Sequence, residues 1–435
     1  MPRLPTLLLC LLPLMAMAEP RALRIHGSNT IGAALAPALV QGLLQAQGAT
    51  AITRQPGAQP NETEIHAHGH DGQPIRVEIA AHGSSTGFSD LGSGDADIAA
   101  ASRPVSDDET QRLQGLGDLR SAASEQVIGL DGVAVIVHPG NRLQQLTTEQ
   151  LARVFSGEIH RWEQLGVPGG PIRLYSRDGR SGTFETFKAL VLSPLHLELA
   201  PQAQRFESAD ALAAQVLADP QAIGFSSLAT THDAKVLAIA EGDAAAMLPT
   251  PARVASEDYP LSRRLYFYLP ATPTAQALAL AEFAQSPAGQ AIVAAQGFVS
   301  QQVKALAVPD QPDMPPAYRV LAGQAQRLNV NFRFRQGSAS LDTKALRDVQ
   351  RVAQYLRQTG KLNDRAVLVG FGDTKATPGR AALLSRLRAM AVRRELARHG
   401  VEAREVTGMG DELPVAGNEL QQGRLRNQRV EVWVY

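Results

Sequence analysis

The sequence predicts an α/β domain with a mostly parallel sheet, followed by a small, separate α+β domain. Three observations carry that prediction. From Leu23 to about Gly297, short apolar runs alternate with amphipathic stretches, as in "PIRLYS" followed by "SGTFETFKALVL". From Val303 to Tyr318 the run "VKALAVPDQPDMPPAY" breaks that rhythm with four prolines. Beyond it the strand and helix patterns resume in a shorter unit that ends in the strand "QRVEVWVY".

Taken in order, "MPRLPTLLLCLLPLMAMA" at residues 1–18 reads as an export signal: a basic Arg3, an apolar core from Leu7 to Met15, and the small-residue site Ala16-Met17-Ala18. Cys10 is followed by Leu11, Leu12 and Pro13 rather than by small residues, which argues against lipidation. Cleavage after Ala18 leaves a chain without cysteine, so packing rather than disulfides must hold it. No later segment offers the roughly 18 uninterrupted apolar residues that a membrane span needs.

The first domain is predicted over 19–302. "LRIHG" reads as a strand and "IGAALAPALVQGLLQAQ" as a helix, while "VAVIVHP" and "AIGFSSL" read as buried strands. "LTTEQLARVF" is a helix capped by Thr147 or Thr148 with Glu149 in its first turn, and "SADALAAQVLADP" is a helix that stops before Pro220. Residues 303–326 are expected to form a Pro-rich, semi-rigid linker. The second domain, 327–435, is expected to hold helices from about Lys344 to Gln358 and from Arg380 to His399, with "AVLVGFGD" as a strand between them.

The 44% hydrophobic and 19% charged composition is that of a soluble globular protein, and 435 residues suggest two or three domains. Its net charge of zero conceals an asymmetry. Of 42 basic and 42 acidic residues, 20 and 11 lie from Arg327 onward, so the second domain carries about +9 and the rest about −9. For an exported protein a basic module points to an acidic envelope surface or polymer, and no nucleic-acid partner is expected.

Four segments combine Gly with Ser or Thr where a strand hands over to a helix: "HGSNTIG" (26–32), "HGSSTGF" (82–88), "ASRPVSDDE" (101–109) and "SRDGRSGTF" (176–184). Each offers backbone N–H groups and hydroxyls at a helix start, a natural cradle for an anion. Alone, each is as well explained as an ordinary turn or cap. Arg177 adds paired donors suited to a tetrahedral oxyanion, with Ser181, Gly182 and Thr183 for its other oxygens. Arg180 reads as a solvated turn residue.

With "GSNTIG", "GSSTGFSDLGSGDADIAAASRPVSDDE", "SRDGRSGTFETF", "AIGFSSLA" and "EFAQSPAGQAIVAAQGFV" in this order, residues 22–300 resemble the phosphate-type substrate-binding proteins of ABC transporters. The resemblance implies a two-lobed clamshell joined by crossing strands. It implies a phosphate or related oxyanion between the lobes, held by Ser28, Thr30, Ser84, Ser102, Arg177, Ser181, Gly182 and Thr183, and an ABC-transporter permease as partner. Some members have an Asp where this chain has Ser102, and that Asp takes the proton of hydrogen phosphate. Here Ser102 either accepts or donates, and Arg103 beside it offers a second cation, so phosphate is expected first with another tetrahedral oxyanion as the fallback.

Two rival chemistries are weaker. "GRSGT" approaches the hydrolase elbow G-x-S-x-G but ends in Thr183, with no His and acid marked as partners for Ser181. "HAHGH" sets His66, His68 and His70 at alternating positions that would share a strand face and suit zinc, yet Gly69-His70-Asp71-Gly72 reads as an exposed hairpin tip. No enzyme activity, metal or cofactor is expected.

From about Leu328 to Tyr435 the chain resembles OmpA-like peptidoglycan-associating domains. The motifs are "FRQGSASL", Gly370-Phe371-Gly372-Asp373, "LLSRLRAMAV", "GMGDELPVAGN" and "GRLRNQRVEVWV". The resemblance implies that Asp373 and Arg388 hold the ammonium and carboxylate of diaminopimelate in a peptidoglycan stem peptide, with Arg429 in support. Two positions depart from the family: Phe371 replaces a His, and Ala381 replaces an Asn.

The combined expectation is a periplasmic protein associated with peptidoglycan or the outer membrane, binding an oxyanion in a clamshell followed by an OmpA-like α+β domain. The alternative is an interaction protein of the envelope, serving integrity, adhesion or sensing, with a vestigial anion site.

Overall fold

The computed structural model describes residues 22–311, 314–335, 337–374 and 379–435, so the export signal read at 1–18 lies outside the described residues. The first part of the chain contributes β1 (Leu23–Gly27), β2 (Thr50–Pro56), β3 (Glu62–His68), β4 (Pro74–Ala80), β5 (Ile98–Ala101), β6 (Glu125–Val137), β7 (Gln145–Thr147), β8 (Arg173–Arg177), β9 (Gln204–Phe206), β10 (Ala222–Ser227), β11 (Lys235–Val236), β12 (Ala238–Ala240) and β13 (Ser262–Tyr268). They form two lobes. In the first, the strand order is β2-β3-β4-β1-β5-β13-β6; in the second it is β6-β10-β8-β9, with β11 also on β6.

The strand common to both lobes is β6. Its first half pairs with β13 as far as Gly132↔Ser262, and its second half, Val133 to Val137, pairs with β10. Twelve of its thirteen residues are buried, which is why a continuous run such as "VIGLDGVAVIV" is needed there rather than an alternating one. The expected mostly parallel sheet is corrected to a mixed one. β4-β1-β5 and β10-β8-β9 are parallel, but β6 and β13 pair antiparallel, as a chain that crosses between lobes and returns must. Each lobe has its own apolar core, with Ile25, Leu39, Ile98 and Phe267 in the first and Val135, Phe155, Phe187 and Phe225 in the second. Phe187 and Phe225 stack at 4.0 Å.

Local signals explain the helix starts. Thr147 and Gln150 form a capping box ahead of Thr148–Phe155, and Ser208 caps Ala209–Ala218.

The C-terminal domain is a five-stranded sheet, β14 (Ala305–Leu306), β15 (Gln326–Phe332), β16 (Asn363–Gly370), β17 (Glu402–Gly408) and β18 (Val430–Val434), ordered β14-β15-β18-β16-β17. The helices Thr343–Gln358 and Arg380–Ala397 pack on it around Leu328, Val352, Leu368, Val392 and Val432. Asp342 caps the first of them by accepting from the Ala345 N–H at 2.7 Å. The second ends at Ala397, two residues before the expected His399.

The linker expected over 303–326 is corrected too. β14 pairs with Leu328 and Arg327, and Pro316–Gln324 is a helix whose first residue is the proline. Pro is compatible with that first position because its missing N–H has no partner there. Met314 and Tyr318 are buried against Val367, Phe371 and Trp433, and the Tyr318 hydroxyl donates to Glu431 at 2.9 Å. The described part of this segment is folded onto the C-terminal domain.

The two parts of the chain share a charged interface. Asp258, in the second lobe, accepts from Arg327 Nη2 at 2.8 Å and from Asn331 Nδ2 at 2.8 Å, and Arg333 Nη2 donates to the Glu257 carbonyl at 3.0 Å. Arg426 meets Glu241 and the Pro260 carbonyl. Burial works against the Asp258 carboxylate, but Arg327, Arg429 and Arg333 outweigh it and hold its pKa below the ordinary value. Arg264 on β13 pairs with Glu257 and, at 2.8 Å, with Asp342.

Asp258→Ala removes the buried acid that Arg327 pairs with and Arg333 faces, and should destabilise the full chain by about 3–5 kcal/mol, the usual penalty for half a buried pair. Urea denaturation reads this directly, and an unmoved midpoint would show that the interface does not hold.

Candidate anion site and C-terminal groove

Three of the four Gly/Ser/Thr segments lie directly at strand-to-helix turns: β1 before Asn29–Gly32, β4 before Ser84–Ser93, and β8 before Gly182–Phe187. In the fourth, the helix Asp107–Arg112 starts later, capped by Ser106, so Ser102 sits in the loop that follows β5. Ser28, Thr30, Ser84, Ser102, Arg177, Ser181 and Thr183 are all buried where the lobes meet, and Gly182 is buried with them. The structure therefore gathers all eight sequence-predicted positions.

Thr30 Oγ1 lies 3.1 Å from Thr183 Oγ1, one from each lobe. Ser84 Oγ accepts from the Ser102 N–H at 3.1 Å, and Ser181 Oγ caps its helix by accepting from the Thr183 N–H at 3.2 Å. The Ser28 N–H is committed to the Ala100 carbonyl at 2.8 Å, so what Ser28 has left to offer is its hydroxyl. Gly182 passes so close to the first lobe that an added Cβ would stand 2.2 Å from Ser84 Oγ and 2.6 Å from Ser102 Oγ. A larger residue there would force both hydroxyls to turn away from the cleft.

Arg177 is 1% exposed. Its Nε donates to the Phe206 carbonyl at 3.2 Å, and its Nη2 donates to Asn29 Oδ1 at 3.2 Å and to the Glu207 carbonyl at 2.5 Å. Neither Asp178 nor another acid claims it among its described hydrogen bonds, and its Nη1 is buried with no hydrogen-bond partner among the described residues. Burial, and next the nearby Arg263 cation, bring its pKa down to about 10, which still leaves it charged at neutral pH.

Arg263 is the residue that sequence reading missed. It lies on β13 directly opposite Asp131 of β6. Its Nε and Nη2 donate to Asp131 Oδ2 at 2.9 and 2.6 Å, its Nη1 to Thr183 Oγ1 at 2.7 Å and Ser102 Oγ at 3.3 Å, and its Nη2 also to Thr30 Oγ1 at 3.3 Å. The available signal was a pair of arginines, Arg263 and Arg264, at the start of a strand that is otherwise largely apolar, "SRRLYFY". The second cation expected from Arg103 is corrected to Arg263. Arg103 instead pairs with Glu109 at 2.6 Å and with Glu185 of the other lobe at 2.5 Å, over the Phe88 ring.

The lobes are closed, and polar contacts line their seam. Ser85 donates to Glu185 at 3.1 Å, while His82 of the first lobe lies 3.1 Å from Glu62 of its own lobe and 3.1 Å from Glu207 of the second. Arg180, more than half exposed, stands 3.9 Å from Glu207. His66 pairs with Glu64 on β3, His68 is exposed, and His70 lies in the turn beyond. Among the described residues no group of three or more His, Cys, Asp or Glu could hold a metal ion.

In the C-terminal domain Asp373 and Arg388 line one cavity of about 550 Å³ together with Leu384, Leu387, Gln421, Arg424 and Gln428. Gln428 donates to Asp373 Oδ1 at 2.9 Å, and Arg388 Nη1 is buried without a hydrogen-bond partner among the described residues. Burial lowers the Arg388 pKa and Asp373 opposes that fall. Arg429, expected in support, does not line this cavity. It is buried behind it, paired with Glu431 at 3.1 Å and stacked over the Phe371 ring at 4.0 Å. Phe371 itself belongs to the core beside Tyr318, so the residue that replaces the family's His faces inward.

A two-lobed clamshell with a buried cluster of cationic and hydroxyl side chains between its lobes, joined to a small α+β domain, is the class that this fold defines. The chain belongs to the PBP superfamily, whose domain model matches residues 35–288, and residues 333–428 match the OmpA family. It is 27% identical over 248 residues to the phosphate-binding protein PstS of Pseudomonas aeruginosa, covering 53% of this chain and 76% of that protein. It is also 27% identical over 205 residues to PstS of Staphylococcus saprophyticus, covering 46% of this chain and 62% of that one. Among solved structures, a Clostridium perfringens protein described as a phosphate ABC transporter substrate-binding protein with bound phosphate shares the fold, with a TM-score of 0.50 and 24% identity over 64% of this chain and 99% of its own.

The His82 bridge carries a pH dependence. Burial opposes its charge, but Glu207 and Glu62 prevail and raise its pKa above the ordinary 6.5. A raised pKa contributes stability that is complete below 6.5 and lost as pH rises through the native value. The melting temperature should therefore fall across the range just above pH 6.5, and His82→Gln should flatten that part of the profile; parallel profiles for the two would contradict it.

Proposed function

We propose that this chain is an exported envelope protein that binds phosphate, or a related tetrahedral oxyanion, between its lobes and associates with peptidoglycan through its C-terminal domain. The observation that carries the anion reading is the pair of buried guanidinium groups, Arg177 and Arg263, which share one neighbourhood with a single buried carboxylate, Asp131. That carboxylate is saturated: Oδ2 takes Arg263, while Oδ1 accepts from Ser227 Oγ at 2.9 Å and from the Leu228 N–H at 3.0 Å. A bound oxyanion relieves the repulsion between the cations and engages the open Arg177 Nη1, and Ser28, Thr30, Ser84, Ser102, Ser181, Gly182 and Thr183 supply hydroxyls and amides to its other oxygens.

Relatives named as phosphate-binding proteins support phosphate as the first ligand. The OmpA match supports diaminopimelate at Asp373 and Arg388, and an ABC-transporter permease is the partner that the first domain's kinship suggests. No catalytic role is proposed, because the buried serines and threonines are engaged as caps and as ligands to Arg263 rather than poised beside a base. Export to the periplasm fits the residues 1–18 pattern and both kinships.

Isothermal titration of the full chain with phosphate, sulfate and molybdate tests the first half. Heat with phosphate that Arg177→Ala weakens by at least about tenfold, the weight of a single charge-assisted hydrogen bond, is expected. Silence with all three anions would refute it. For the second half, purified peptidoglycan should retain the wild-type chain and lose both Asp373→Ala and Arg388→Ala; equal retention of all three would refute wall binding at this groove.

A further inference from the structure

The C-terminal domain seats on both lobes at once, across the strands that join them. On the first lobe, Arg347 donates to Gln126 at 2.5 Å and to Gln285 at 2.7 Å, Arg351 donates to Gln301 at 3.0 Å, and Thr343 meets Glu125. On the second lobe, Asn331 and Arg333 hold the Ser256–Asp258 turn, and Gln422 donates to the Ala189 carbonyl at 3.2 Å. Arg264, on the joining strand β13 itself, is held by Asp342.

Opening a two-lobed receptor rotates one lobe against the other about the strands between them. One packed domain cannot follow both lobes through that rotation, so opening must break one set of contacts. We propose that the docked C-terminal domain is a brace that holds the cleft closed, and that the ligand exchanges only when the brace lets go of the first lobe.

The first lobe is the releasing side because of how each seam is built. Its contacts come from Thr343 and two long arginine side chains on one helix face, and burial together with the neighbouring Arg351 disfavours the charged form of Arg347. The second-lobe seam buries Asp258 and Arg333 with backbone carbonyls, and breaking it would expose charges already matched. Within the second lobe, the helix that starts at Gly182 in the anion site runs on through a π-helical turn, Lys188–Leu192, to the Ala189 carbonyl that Gln422 grips. The brace thus holds the same element that presents Gly182 and Thr183 to the cleft. The exchange part rests on the oxyanion reading; the restraint on the lobes does not.

The test places spin labels at Ser93→Cys in the first lobe and Gln202→Cys in the second, both exposed, in the full chain with its native cysteine removed by Cys10→Ser. With the brace in place, the distance between labels is the same with and without saturating phosphate. In the Arg347→Ala/Arg351→Ala variant a longer distance appears without phosphate, and phosphate dissociates at least about tenfold faster, a change matching the loss of about one charge-assisted hydrogen bond. Arg386→Ala/Arg394→Ala, on the exposed face of the helix Arg380–Ala397, leaves both unchanged. A wild-type chain that already shows the long distance without phosphate overturns the proposal, as does a double variant that keeps the wild-type melting temperature and distance. If calorimetry finds no anion binding, the oxyanion reading falls while the label distances still decide the brace, and if the double variant does not fold, the wild-type pair of measurements decides alone.

Discussion

The ion pair between Asp131 and Arg263 is the contact on which the site depends. It lies at 0% and 4% exposure on the two strands that join the lobes, at a direct cross-strand position. Such a pair contributes little net stability, since the cost of drying both charges is comparable to their attraction. Its effect is positional. Asp131 fixes the guanidinium from one side, with Ser227 and the Leu228 amide fixing Asp131 in turn, and the donors left over reach Thr30 and Ser102 of the first lobe and Thr183 of the second. One cation therefore reads whether the lobes are together, because its hydroxyl partners come from both. It also places positive charge beside Arg177.

Closure on this scale needs backbone to approach backbone. Gly182 meets Ser84 and Ser102, and Gly83, at a φ of +129°, lies where a Cβ would stand 2.2 Å from the Arg180 carbonyl of the other lobe. Around this tight centre stands a rim of ion pairs between the lobes, Arg103 with Glu185 at 2.5 Å and His82 with Glu207 at 3.1 Å. The centre is held by buried, fixed donors, while the rim is the part that pH and salt can loosen.

Much of this was legible in the sequence because local chemistry and tertiary role coincide. Ser181 and Ser84 stand at strand-to-helix turns that any reading of Gly, Ser and Thr would find, and Arg177 ends a strand beside one of them. Arg263 was hidden because Arg263 and Arg264 are neighbours in one strand and point to opposite faces, and periodicity alone does not say which face is the cleft and which the C-terminal domain. Arg263 is buried and Arg264 half-buried, and each found an acid distant in sequence. The segment at 303–326 was misread for the opposite reason. Its prolines are conspicuous, while Met314, Tyr318 and Leu321, spaced at helical intervals, are the residues that pin it down. In the C-terminal domain Asp373 and Arg388 were found by spacing, but the inward turn of Phe371 and Arg429 follows from packing that spacing does not record.

The matched charges at Asp258 carry an evolutionary consequence. A gene fusion usually joins domains that were each complete before, and either half can then be exchanged for a cousin. Here Asp258 accepts from Arg327 and Asn331, and Arg333 donates to the backbone beside it. A cousin domain lacking those three residues would leave a carboxylate dry and unmatched, and one carrying them would meet no acid on an unrelated clamshell. Exchanging either half alone would therefore leave buried charge without its partner at this seam.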